Sequence, residues 1–389
     1  MPLLLVLGFA SFVSALSIRV VDPVVPEMAR DLGSTVATVA LLASAFSFPY
    51  AFGQPILGPL GDSIGKTRVI NAGLFVLAVA LAVSAVAPTV EVLFAMRILG
   101  GLASGAIIPL ILAMIGDRVS MMERQVALSR ILMAALSGQL VGAIGSGVIA
   151  AYTGWRVVMA LACVVTVAAL IVTLQTLRPR KDAKRSRLTW AKLRDGYERV
   201  FENPRAAVCY TAVFIEGLSI YGLLPYVATL LEQRGAGGIR EAGFVLAGLG
   251  LGGLIFTFTV GSMLKVLRGQ MNLIRSGGLV AGIGMAAVAA ASSWPIEMAA
   301  FAVIGLGFYM IHNSLQTQAT ELAPSNRGAA VALHAFFFFL GQAAGPVLYG
   351  FGLHAVGPAA STLTAALTMA VLGFVVAAML EGISARQSN

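Results

Sequence analysis

Charge is what this 389-residue sequence has least of: Asp, Glu, Lys and Arg together make up 11% of it. A soluble globular chain carries about 25%. So thin a polar complement excludes a water-facing shell around a single core. The 58% of hydrophobic residues and the mean hydropathy of +0.90 fit a chain whose solvent is lipid. Cysteine is almost absent too. Cys163 and Cys209 both lie in apolar runs, which leaves no disulfide framework and no cysteine-based metal site. Period-2 alternation is missing, which excludes a transmembrane β-barrel. A basic leader is missing as well. Met1 runs directly into Pro2-Leu3-Leu4-Leu5, so the first apolar run is expected to stay as a helix rather than be cleaved as a signal peptide.

What is present is a series of long apolar runs. A spanning helix needs about 20 mainly apolar residues. Such runs fall near 3–27, 37–60, 69–87, 90–115, 125–151 and 155–177, then near 206–231, 242–264, 272–291, 295–319, 328–352 and 358–381. They predict an all-α membrane protein of twelve transmembrane helices. Glycine is abundant, 43 in all, as expected of helices that pack closely in a bilayer.

Lys and Arg set the orientation. With the N-terminus inside, twenty fall in inner segments; Arg30, Arg156, Arg234 and Arg240 fall outside, and Arg19 and Arg97 stay within helices. The positive-inside rule then places both termini in the cytoplasm, as for a multi-pass protein of the bacterial inner membrane. Ten of the inner cations lie in 178–206 with four acids among them. Between two membrane halves, this segment reads as a basic linker on anionic headgroups rather than a nucleic-acid site. The expected organisation is a six-helix bundle over 1–177, the linker over 178–206, and a second bundle over 207–389.

The halves carry the same landmarks. Leu16-Ser17-Ile18 and Pro23 recur as Leu218-Ser219-Ile220 and Pro225, 202 residues on. Gly58, Gly65 and Gly73 recur as Gly261, Gly269 and Gly277, Arg124-x-x-Ala127 as Arg327-x-x-Ala330, and Gly138-Gln139-x-x-Gly142 as Gly341-Gln342-x-x-Gly345. Four matches in order mark a duplication. Because each half has an even number of helices, both insert the same way, which predicts pseudo-symmetric bundles with a solute site near the bilayer midplane.

These landmarks resemble the major facilitator superfamily over essentially the whole chain. Gly58-Pro59-Leu60-Gly61-Asp62-Ser63-Ile64-Gly65-Lys66-Thr67-Arg68 is similar to that family's cytoplasmic loop signature, with Ser63 where an arginine is usual. Leu93 to Gly105, with Arg97 and Gly101, resembles its helix-4 motif. Asp22-x-x-x-Pro26 resembles the Asp-x-x-x-Pro of the proton-linked multidrug exporters. Those exporters carry a proline in helix 5 ahead of Gly154-Trp155-Arg156; Gly142-Ala143-Ile144-Gly145-Ser146-Gly147 has none, and Pro346 supplies one in helix 11. The resemblance implies a non-enzymatic secondary active transporter, a monomer that exports small amphipathic molecules in exchange for protons by alternating access. The alternative is the same fold carrying a sugar or other metabolite, as exporter, uptake symporter or uniporter. The resemblance also implies a cytoplasmic gate: Asp62 meets the start of helix 11, while Lys66 and Arg68 face Asp117.

Charges inside the bilayer are the remaining candidates, since each costs about 2.5–3.5 kcal/mol at a helix centre even on insertion scales. Arg19 and Asp22 are three residues apart and can pair. Burial favours the neutral form of a carboxyl and a neighbouring guanidinium the charged form, so a partner that moves can make Asp22 take up and release a proton. Arg97 or Arg19 would tune it; a fixed ion bridge is the other reading. Glu216, in helix 7, is either a second proton site or a counter-ion for a cationic substrate. Substrate contacts are expected from Glu216, Tyr221, Gln139 and, on helix 10, His312, Asn313 and Gln316. Asn313, Gln316, Thr317 and Thr320 share one helical face. His334 and His354 fall too near helix ends to be singled out. No cofactor, metal or nucleotide site is expected: Gly248-Leu249-Gly250-Leu251-Gly252-Gly253 lies inside a membrane run with no strand before it.

Overall fold

Prolines accompany the breaks in helices 1, 4 and 7, while Pro49 and Pro55 in helix 2 and Pro346 in helix 11 are carried within continuous helices. The computed structural model describes the backbone of residues 3–119, 121–177 and 190–388. Helix 1, Leu3–Asp31, is helical over Leu3–Arg19, opens at Val20 and Val21, and resumes through a 3-10 turn at Asp22–Val24 into Val25–Asp31. Pro23 and Pro26 have no N–H to continue the ladder. Helix 7, Arg205–Gln233, breaks the same way: Arg205–Tyr221, a turn at Leu224–Tyr226 containing Pro225, then Val227–Gln233. The sequence repeat is thus a repeat of backbone irregularity as well.

The other spans are Val36–Ile64, Lys66–Ala85, Val90–Arg118, Met121–Thr153 and Trp155–Thr176 for helices 2–6. Helices 8–12 are Ile239–Val266, Gln270–Ala290, Trp294–Leu322, Arg327–Ala355 and Gly357–Arg386. Twelve helices among the described residues are therefore long and apolar enough to cross a membrane. Helix 4 is divided at Ala106 into Val90–Gly105 and Ile107–Arg118. Pro109 removes the N–H that would reach the Gly105 carbonyl, and the Gln54 side-chain amide donates to that carbonyl instead, at 3.2 Å. Helix 10 has Asn313 at the corresponding place and runs unbroken.

Two compact units divide the chain, Met1–Thr189 and Trp190–Asn389. In the first, helix 1 packs on helix 5, helix 2 on helix 4 and helix 3 on helix 6. In the second, helix 7 packs on helix 11, helix 8 on helix 10 and helix 9 on helix 12. The pairings are identical, so each unit is the same six-helix bundle. Of the expected linker, 178–189 lies outside the described residues. The next segment is a helix, Trp190–Phe201, that belongs to the second unit. It buries Val200 and sets Phe201 edge-on to Tyr210 at 5.7 Å, while Arg194 and Glu198 pair on its exposed side.

Close contacts repeat atom for atom. A Cβ at Gly138 would overlap the Phe12 carbonyl, and one at Gly341 the Phe214 carbonyl. Gly142 stands against Leu16 as Gly345 stands against Leu218, and Gly101 against Phe46 as Gly305 against Leu249. Backbones meet here with no room for a side chain, which is how membrane helices gain packing when lipid offers no hydrophobic drive. Gly138→Val and Gly341→Val are each expected to destabilise their bundle by at least the ~1–3 kcal/mol of an overpacked core, because the obstacle is backbone. Thermal unfolding in detergent measures this; wild-type melting of either variant would refute the close approach.

Candidate functional site: buried charges in each bundle

In the first unit the broken helix 1 creates the site. The last carbonyls of a helix have no intrahelical donor. Here Arg97, reaching in from helix 4, supplies them: Nη1 donates to the Ser17 carbonyl at 2.7 Å and Nη2 to the Ile18 carbonyl at 3.3 Å. Its Nε donates to the Leu42 carbonyl at 3.2 Å, and the guanidinium lies 4.1 Å from the Phe46 ring centroid. Arg97 therefore ties helices 1, 2 and 4 together at the break through three backbone carbonyls.

Just past the break sits Asp22, fully buried, with its Oδ2 3.3 Å from Arg19 Nη1. Its Oδ1 has no hydrogen-bond partner among the described residues. Arg19 Nε also donates to Gln139 Oε1 on helix 5, at 3.5 Å. Asp22, Arg19, Arg97 and Gln139 thus form one cluster, with Gln139 placed on the arginine. A second polar layer, deeper in helix 1, joins Ser14 to the Ser104 carbonyl at 3.4 Å.

The second unit has its own buried carboxylate. Glu216, on helix 7, is fully buried, and its Oε2 lies 3.0 Å from His312 Nδ1 on helix 10. Its Oε1 and the Ser219 hydroxyl have no partner among the described residues. Aromatic rings enclose the pair. His312 stacks on Phe308 at 4.8 Å and contacts Phe338 at 4.5 Å, and Tyr221 is edge-on to both phenylalanines at 5.7 and 5.4 Å. The His334 ring lies 5.0 Å from His312 and is 2% exposed. Glu216, His312 and Tyr221 are brought together. Asn313 is exposed, Gln316 is half-buried, and no side-chain hydrogen bond or ion pair joins them to this cluster among the described residues. Thr317 and Thr320 bond their hydroxyls back to carbonyls of helix 10. His334, set aside in the sequence because of its place near a helix end, lies two turns into helix 11 and belongs to the cluster.

At one end of the first unit, Lys66 Nζ lies 2.6 Å from Asp117 Oδ2, just after Gly65 turns the chain with φ +107°. Arg68 is exposed. The backbone of Asp62 lies within helix 2, but its side chain lies outside the described residues. At the opposite end, Glu27 accepts from the Trp155 N–H at 3.2 Å, so that a carboxylate caps the start of helix 6, as the helix dipole favours. Asp31 accepts from Trp155 Nε1 and pairs with Arg156. In the second unit Arg234 and Glu297 lie 3.5 Å apart. Neither of these end pairings was among the sequence candidates, although Gly154-Trp155-Arg156 marked the first.

The family model described as Major Facilitator Superfamily matches residues 7–346. The chain belongs to the Major Facilitator Superfamily and is one of its multi-pass membrane transporters. It is 26% identical over 386 residues to the transporter YwfA of Bacillus subtilis (strain 168), covering 96% of this chain and 91% of that one. It is 22% identical over 340 residues to Multidrug resistance protein 1 of the same organism, covering 87% and 86%. It is 25% identical over 359 residues to the quinolone resistance protein NorA of Staphylococcus aureus (strain MRSA252), covering 91% of each. Among solved structures, the nucleoside transporter NupG superposes with a TM-score of 0.80 at 17% identity, over 98% of this chain and 99% of that one. At that identity the likeness is one of fold.

Proposed function

We propose that this transporter couples proton movement to the efflux of small amphipathic molecules by alternating access, as a monomer in a bacterial inner membrane with both termini in the cytoplasm. The observation that carries this reading is a pair of fully buried carboxylates, one per bundle. Each has a basic side chain in direct contact: Arg19 on Asp22, with the Arg97 charge also acting on it, and His312 on Glu216. A buried carboxyl with one oxygen unpartnered is stable as the neutral acid and stable as the anion only while its cationic partner stays. Motion that separates the two then moves a proton. A proton-motive force near 150 mV is worth about 3.5 kcal/mol per proton, enough for roughly a 300-fold gradient of a neutral solute. The multidrug and quinolone resistance proteins among its relatives support an amphipathic cargo. The continuous helix 5, without the proline that helix 11 has at Pro346, favours keeping metabolite transport by symport or uniport as a second reading.

Inside-out vesicles separate the two. An antiporter's substrate releases protons from vesicles with an acidified lumen, and the expected result is a substrate-dependent recovery of a pH-sensitive dye. No recovery with any transported substrate would refute antiport. A gate prediction accompanies this. Asp62→Asn is expected to lower transport in proteoliposomes at least tenfold with normal expression, since a loop-facing helix end is outside the lipid-facing core. Asp117→Asn should share that phenotype through Lys66. Near-normal transport by both would remove the gate.

A further inference from the structure

His334 is a buried polar group that nothing above explains. Both its ring nitrogens lack a hydrogen-bond partner among the described residues, and the ring is 2% exposed. Leaving a buried donor or acceptor unmade costs about 1–3 kcal/mol, so an imidazole held this way calls for a partner it meets in another arrangement. Its neighbour supplies one. Two imidazoles joined by an N–H···N bond of ~2.9 Å have ring centroids about 5 Å apart, and the His312 and His334 centroids are 5.0 Å apart with planes inclined by 56°. His312 is also the member whose side chain is partly open, 16% exposed against 0% for Glu216.

We propose that His334 is a positioning residue of proton coupling, the alternative hydrogen-bond partner that His312 takes when it leaves Glu216. This rests on the proton-coupling reading above. The step balances as follows. With His312 protonated and Glu216 ionised, the two are held as an ion pair. Transfer of the Nδ1 proton to Glu216 Oε2 leaves a neutral imidazole and a carboxylic acid, and the attraction between them falls. His312 then turns, and its remaining N–H donates to a His334 nitrogen. Glu216 then gives up its proton, and His312 takes up another and returns to the carboxylate, which restores the ion pair with one proton bound for each one released. The titratable groups near the cluster fit this assignment. From helix 7 they are Glu216, against His312, Tyr221, against Phe308 and Phe338, and Tyr210, which donates to the Ala330 carbonyl at 3.0 Å and stacks on Phe337. From helix 10 they are His312 and Tyr309, the latter stacked on Phe256 of helix 8. Helix 12 has no titratable residue before Glu381. The linker helix packs on the start of helix 11, two turns away, with Arg194 paired to Glu198. Among the described residues no three His, Cys, Asp or Glu are spaced to hold a metal ion, so the carboxylate and two imidazoles do not read as a metal centre.

The sequence holds 3 histidines, which makes the test direct. Protein labelled with 15N-histidine in nanodiscs gives three imidazole titrations, and His354→Gln identifies the third. His312 and His334 are expected to titrate as a coupled pair. In His334→Phe, which keeps the ring volume, the His312 midpoint should move by about one pH unit, the size of one modest hydrogen bond, and the midpoint of pH-driven accumulation should move with it, whatever happens to the overall rate. Should His334→Phe not fold, the His334 signal in His312→Gln provides the reciprocal shift. A His312 curve that superimposes on wild type overturns the proposal. So does an unmoved His334 signal in His312→Gln. If the histidines titrate as a pair but the wild-type protein shows no pH-driven accumulation, the proton-coupling reading falls and takes the role of His334 with it. Accumulation with independent histidines overturns His334 alone.

Discussion

Asp22→Asn is expected to abolish pH-driven accumulation while exchange of substrate for substrate continues. The amide mimics the protonated acid permanently, so the step that needs a change in protonation is lost and the step that does not is kept. The structure sharpens the competing outcome. Asp22 is fully buried and 3.3 Å from Arg19, so if the pair were only a fixed bridge, removing the carboxylate would destabilise the bundle by about 3–5 kcal/mol. Arg19→Gln combined with Asp22→Asn should then recover most of that loss. The two accounts predict different measurements. A proton carrier gives a well-folded single variant with exchange but no accumulation; a fixed bridge gives a low melting temperature restored in the double variant. A stable Asp22→Asn protein with full pH-driven accumulation would exclude the carrier role and move it to Glu216.

What the sequence could show follows from which interactions are local. A bilayer demands about 20 apolar residues per span, so the twelve helices and their order were legible, with ends within a few residues; the widest difference is at the C-terminal end of helix 12, which runs on to Arg386. The Asp22–Arg19 pairing was expected from three-residue spacing on one helical face, and it forms although the helix opens between them at Val20 and Val21. Lys66 beside Asp117 was suggested by the loop signature rather than by spacing. Arg97 was visible as a charge but not as a clamp. It was expected to tune Asp22, and its guanidinium also meets the Ser17, Ile18 and Leu42 carbonyls, a role the sequence did not suggest. Free carbonyls leave no mark in a sequence except the proline that creates them. The Gln54 amide on the Gly105 carbonyl follows the same logic, and Pro109 was its signal. The Glu216–His312 contact joins residues 96 apart, beyond any helical periodicity. His334 was passed over because distance from a helix end was counted along the chain, although two turns already bring a side chain into a bundle's interior.

Arg97→Met is expected to have the largest effect on stability of any single change in the first bundle. The substitution keeps an unbranched side chain of similar reach and removes every donor. The Ser17, Ile18 and Leu42 carbonyls would each lose their Arg97 hydrogen bond inside a nonpolar bundle, at about 1–3 kcal/mol apiece. The contact with Phe46, 4.1 Å from the guanidinium to the ring centroid, would go too, worth up to about 2 kcal/mol when desolvated. Arg97→Lys should be intermediate, because one ammonium cannot span acceptors on helices 1 and 2 with the geometry of a planar fork. Melting temperature and the yield of monodisperse protein in detergent measure both. Pairing with Asp22→Asn decides what the arginine does. Were Arg97 mainly a counter-charge for Asp22, neutralising both would restore stability. Because its hydrogen bonds go to carbonyls that remain exposed whatever Asp22 carries, the double variant should melt no higher than Arg97→Met. Recovery in the double variant would return Arg97 to the proton site. Its absence makes Arg97 the fixed clamp across the helix 1 break, against which the ionisation of Asp22 takes place.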